Sequence, residues 1–213
     1  MQNFLPAESL EAGIELIVYG MLFGKLLANQ KTQIMASVKH VENVPQTQLD
    51  TNMAKTKPVK LGWKPEQIDK ISHALNSVLA NYNVHFQKLR NFHWNVTGSD
   101  FFDLHMEFEE QYKEALDHID EIAERIRIFG ETPFGTMQEY LNESEIKESS
   151  STQMNSDLMV RELLSDYRIL LQYLNAILQI ATEQHDAGTE NMVKGFIKKI
   201  EKHHWMLSSF LAK

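Results

Sequence analysis

Five of the side chains between Asn91 and Gly130 that are able to hold a metal ion stand out by their spacing: His93, His105, Glu109, Asp120 and Glu124. At about 100° per residue, a helix carries His105, Glu109, Asp120 and Glu124 within one arc about 100° wide. The chain has no cysteine, so thiolate sites are excluded, and imidazole with carboxylate suits iron(II), manganese or zinc. Few ligands and open positions suit redox chemistry on a bound iron better than a closed structural site. Taken singly, each residue has an ordinary explanation, because exposed carboxylates are usually solvated and a histidine on an apolar face is usually hydrogen-bonded in the core. Their combination on one stripe, beside His93, favours the metal.

The spacing also imposes a constraint. Asp120 lies about 22 Å from His105 along a helix axis, whereas metal bonds to nitrogen and oxygen are about 2–2.2 Å long. One chain therefore cannot offer both residues to one ion, although Asp120 with Glu124, or His105 with Glu109, can share one. The set closes if two copies of the helix cross antiparallel about a two-fold axis near residues 112–115. His105 of one chain then faces Asp120 and Glu124 of the other, and a self-complementary interface makes two identical sites. His93 leans over the same spot from the end of the preceding helix.

Helices must position these groups. From Pro65, Ile68, Ile71, Leu75, Val78, Tyr82, Phe86, Leu89 and His93 recur at steps of three and four, one face of a helix. "TGSD" ends it, Ser99 or Asp100 can cap the next helix, and that helix runs to Gly130. A connection follows, with one short helix near Met137–Leu141. Val160, Leu164, Tyr167, Leu171, Leu174, Leu178 and Ala181 mark a third long helix, and Val193, Phe196, Ile200, His204, Leu207 and Leu211 a fourth. The expectation is an all-α, ferritin-like four-helix bundle with a short extra helix in the crossover between helices two and three.

That bundle is assigned to residues 61–213. Residues 1–60 are read as a poorly ordered N-terminal extension, with Met35 and Met53 as alternative starts. Its apolar stretch 13–28 is interrupted by Glu15 and Lys25, falls short of the roughly 20 residues a membrane span needs, and lacks the basic start of a signal peptide. No membrane association is expected. The net charge of −8 opposes nucleic-acid binding by the folded unit as a whole, and the absence of cysteine suits a reducing cytoplasm.

"FHWNVTGSDFFDLHMEFEEQY", "DHIDEIAERI", "FGETP" and the C-terminal "EKHHWMLSSFLAK" together resemble the Dps family, the miniferritins named as DNA-binding proteins of starved cells, over residues 62–213. The resemblance implies a hollow twelve-subunit shell with ferroxidase sites at two-fold interfaces. His93 and His105 would come from one subunit and Asp120 and Glu124 from its mate, with Glu109 as a ligand or near-ligand. It implies oxidation of iron(II), preferably by hydrogen peroxide and otherwise by oxygen, and storage of ferric mineral. Trp94 matches a tryptophan thought to scavenge stray oxidising equivalents, with packing as its other role. Asp186 and Glu190, before the last helix, are the candidates for acidic pores, and Glu110 and Glu114 for mineral nucleation.

Two alternatives stay open. An ordinary intrachain di-iron bundle needs two Glu-x-x-His motifs, and this chain has one, Glu201 to His204. A DNA-compacting shell with little oxidation would use Lys55, Lys57, Lys60 and Lys64 as multivalent phosphate contacts.

Overall fold

The computed structural model describes residues 62–150, 152 and 154–212. The expected extension 1–60, its apolar stretch, both alternative starts and Lys55, Lys57 and Lys60 lie outside them. The described residues form five helices: α1 Pro65–Asn95, α2 Phe101–Ile128, α3 Met137–Glu143, α4 Ser156–Gln184 and α5 Ala187–Leu211. No strand occurs among the described residues, and no helix among them is long and apolar enough to cross a membrane. The four long helices are the expected bundle, and α3 is the short helix in the crossover.

Local chemistry sets the boundaries. Pro65 opens α1, where its missing N–H costs nothing. Gly98, at φ 102, reverses the chain between α1 and α2. Gly130, at φ 84, ends α2, and Glu131 N–H returns to the Ile126 carbonyl at 3.3 Å, a left-handed helix stop. Asn155 caps α4 by accepting from Leu158 N–H at 2.9 Å, and Thr136 with Glu139 forms a capping box on α3.

Helix α1 packs against α2, α3 and α4, and α4 packs against α5. The core runs the length of the bundle, with Leu75, Leu89, Phe92, Phe108, Ile122, Leu163, Leu170, Leu174 and Val193 fully enclosed. Two faces differ from the sequence reading. On α4, Met159, Leu163, Leu170 and Ile177 are buried, while Leu164, Leu171 and Leu178 stand half-buried at the shoulder. On α5, His203 rather than His204 takes the core position, because the inward register steps from Phe196 to Ile200 to His203 to Leu207.

Candidate metal centre

The turn after α1 brings His93 over the first turns of α2. Nδ1 of His93 bonds the carbonyl of His105 at 2.8 Å, and Nδ1 of His105 bonds the carbonyl of His93 at 2.8 Å. A carbonyl only accepts, so each ring donates from Nδ1, and a neutral ring so held carries its lone pair on Nε2. One of the reciprocal bonds uses a helix end: the His93 carbonyl is among the last of α1, which lack a partner within the helix. The rings stack with centroids 3.9 Å apart. Phe101 stacks on His105 at 5.0 Å and Tyr112 meets His93 edge-on at 5.4 Å, so both rings are fixed in rotation as well as in tautomer.

Glu109 completes the local set. One ligand atom from each of His93, His105 and Glu109 lies within 4.8 Å of the others. Lys113, one turn on, donates from Nζ to Glu109 Oε1 at 2.5 Å. That hydrogen bond and the ammonium charge hold the Glu109 carboxyl below the usual carboxylate range, with the two histidines adding smaller contributions.

Asp120 and Glu124 do not join this group. Both are exposed, one turn apart, further along α2. Phe102, Met106 and Leu116 are also exposed on α2, at 76%, 62% and 50%, and at about 100° per residue they fall on the same stripe as Glu109, Asp120 and Glu124. Trp94 is 56% exposed, with the Arg90 guanidinium 4.8 Å over its ring.

The weaker candidates divide. Asp186 is 1% exposed: it caps α5 through Thr189 N–H at 3.1 Å and is ion-paired with Arg125. The expectation that it lines a pore is corrected, because its carboxylate has no surface to offer and serves the helix start instead. Glu190 sits half-buried in the first turn of α5 and pairs with Lys194. Glu110 is exposed. Glu114 is half-buried, with His203 Nε2 at 3.2 Å and Lys199 Nζ at 3.3 Å.

The sequence reading missed the polar centre of the bundle. His203 lies between Glu107, 3.5 Å from Nδ1, and Glu114. Burial pushes its imidazole down, but hydrogen bonds to Glu107 and Glu114 outweigh that and raise its pKa to about 9. His118, 2% exposed and stacked on Phe196 at 3.8 Å, is pushed down to about 4 by burial. Nearby, His85 and Lys88 both bond Asp166, at 3.0 and 2.8 Å. Glu201 is exposed, so the single Glu-x-x-His motif turns its acid away from the core, and the intrachain di-iron alternative loses its one support.

Comparison with known proteins fits this geometry. The family model "Ferritin-like domain" matches residues 72–213, and the chain belongs to the ferritin-like proteins. It is 43% identical over 141 residues to DNA protection during starvation protein 2 of Bacillus anthracis, covering 66% of this chain and 96% of that one. It is 41% identical over 137 residues to the DNA protection during starvation protein of Brevibacillus brevis, covering 64% and 91%. Among solved structures, Dps from Bacillus brevis matches with TM-score 0.67 and 38% identity over 70% of this chain and 99% of that one. The Vibrio cholerae Dps protein, of a broad superfamily of ferritin-like diiron-carboxylate proteins, matches with TM-score 0.66 and 37% identity over 68% and 91%. Within the ferritin-like class, the chain is a member of the Dps family.

Proposed function

We propose that the protein is a ferroxidase and iron store whose sites are shared between subunits. Two copies pair antiparallel across α2. His93, His105 and Glu109 of one subunit, with Asp120 and Glu124 of the partner subunit, hold iron(II) as substrate. The observation that carries this reading is the incomplete set within one chain. Two imidazoles with locked tautomers meet one carboxylate, while the other two carboxylates stand exposed on the same stripe. The apolar Phe102, Met106 and Leu116 on that stripe are what a partner helix would cover.

The chain's own contribution is positional. The carbonyl-held histidines present Nε2 without reorganisation, and hydrogen bonds from the far ring nitrogen to a carbonyl raise ligand basicity. Carboxylate oxygen prefers the harder ferric ion, so Glu109 with the partner's Asp120 and the partner's Glu124 favours oxidation. With hydrogen peroxide, two iron(II) ions give one electron each, the O–O bond breaks, and two protons are taken up to release two waters. Oxygen is the slower oxidant. The product is stored as ferric mineral in a twelve-subunit cytoplasmic shell, with exposed Glu110 as a nucleation point and Trp94 as a sink for stray oxidising equivalents. Residues 61–213 form the functional unit. Removing iron(II) and peroxide together protects the cell from hydroxyl radical.

The test is anaerobic iron(II) loading followed by peroxide, with oxidation read by absorbance and particle size by light scattering. Rapid oxidation in a particle of twelve subunits is expected. Oxidation no faster than in buffer contradicts the reading.

A second reading is favoured by the relatives' names, which speak of DNA protection. Lys64, exposed at the start of α1, would belong to a basic segment that contacts phosphates. A gel shift that survives moderate salt would support direct DNA binding.

A further inference from the structure

Glu109 is the one carboxylate that reaches both His93 and His105 among the described residues, and it already carries a cation. The Lys113 ammonium sits 2.5 Å from Oε1, with 62% of the lysine side chain exposed. The order Glu then Lys, four residues apart, is the favourable one on a helix. Glu109 brings one negative charge to the half-site, and Lys113 is paired with it. A dication arriving at this half-site must displace the ammonium or bind beside it.

Resting on the shared-site reading, we propose that Lys113 is a displaceable counter-ion that sets how tightly the histidine half of the site holds iron(II). It keeps Glu109 neutralised so that a lone half-site binds metal weakly. The ion prevails once Asp120 and Glu124 of the partner subunit add their charge. Lys113 bonds Glu109 and acts through it, so it is a positioning and affinity-setting residue rather than a catalytic one.

Lys113 is also well placed for coupling the two sites of a pair. A two-fold axis between residues 112 and 115 puts position 113 at the crossing of the two α2 helices. There the ammonium of each copy meets less water than on an isolated subunit, and its attraction to Glu109 strengthens as the local dielectric falls. The lysine therefore weakens metal binding at both sites without supplying a ligand to either.

Cobalt(II) under argon is the probe, because it binds nitrogen and oxygen ligands and reports them by its visible absorption without being turned over. Titrations by calorimetry and absorbance compare the full-length protein with Lys113→Met, which keeps the length of the side chain, and Lys113→Arg, which keeps the charge. Removing this ion pair and one nearby positive charge should tighten cobalt binding by about threefold to tenfold in Lys113→Met. Lys113→Arg should stay within about twofold of the original protein, since the charge remains. The same gain should appear when Lys113→Met is added to Asp120→Ala with Glu124→Ala, where the half-site stands alone. Light scattering confirms that each variant assembles as the original does. Cobalt binding that is unchanged or weaker in Lys113→Met overturns the inference. If His105→Ala abolishes cobalt binding while Lys113→Met has no effect, only this inference falls. If His105→Ala leaves cobalt binding unchanged, the shared-site reading falls and takes this one with it.

Discussion

At the scale of single residues, the centre depends on a pair of histidines that fix each other. Each ring donates from Nδ1 to the other residue's backbone carbonyl at 2.8 Å, and the two rings stack at 3.9 Å, so a turn of either ring breaks its hydrogen bond and the stacking together. His105→Ala should therefore cost more than one ligand: the backbone carbonyl that holds His93 remains, but the ring stacked on His93 is lost. Loss of a ligand together with the ring packed on its neighbour predicts a fall in iron oxidation rate of about 100-fold or more. Stopped-flow absorbance after peroxide addition checks this, and a fall of only a few-fold would show that the rings act independently. Asp120→Ala with Glu124→Ala should remove rapid oxidation equally well. It should leave the fold intact, because both residues are exposed and buried apolar stripes hold the bundle. Circular dichroism and light scattering beside the rate measurement separate the two effects.

At the scale of elements, stability resides in the apolar faces and in a polar centre with opposite pH habits. His203 is more basic folded, at about 9, than its ordinary 6.5. Its contribution is full below about pH 6.5 and fades as pH climbs towards about 9. His118 resists protonation until about 4, so below about 6.5 the unfolded chain takes up a proton that the folded one refuses, and stability falls across that window. The difference in melting temperature between the protein and His203→Gln should shrink from pH 6.5 to pH 9, and His118→Phe should flatten the acid decline. A pH-independent difference in the first case would rule out the charged clamp. Phe108, fully buried against Phe92 at 6.2 Å, should cost about 3–5 kcal/mol on truncation to alanine, read by denaturant unfolding. The long helices were legible from sequence because apolar residues keep a 3.6 period for some thirty residues. The polar centre was not, because Glu107, Glu114, His118 and His203 look like solvated helix positions until packing of α2 against α5 turns them inward. Asp186 misled for the mirror-image reason: an acid in a turn reads as exposed, and only the capped helix start with Arg125 against it shows otherwise.

At the scale of the whole molecule, the single chain is an incomplete reagent. His93, His105 and Glu109 gather at one end of the α2 stripe, Asp120 and Glu124 stand towards the other, and a separation of about 22 Å forbids their meeting within one subunit. Sequence spacing alone carried that argument, because axial rise per residue is fixed once the segment is helical. Which helix face meets the partner was not legible, since exposed Phe102, Met106 and Leu116 could have been core until the bundle closed without them. Deleting residues 1–52 should leave melting temperature and particle size unchanged if residues 61–213 fold and assemble on their own, and a collapse to dimers on light scattering would contradict that. The central claim, that each site is built from two subunits, is tested by mixing. One variant lacks His93 and His105, the other lacks Asp120 and Glu124, and each alone should be nearly inactive. Unfolded together and reassembled, half of the two-fold pairs are mixed if pairing is random, and a mixed pair holds one complete site and one left with Glu109 alone. Shared sites predict recovery to roughly a quarter of the original oxidation rate, and mixed shells, verified by mass spectrometry, that stay inactive would contradict the account.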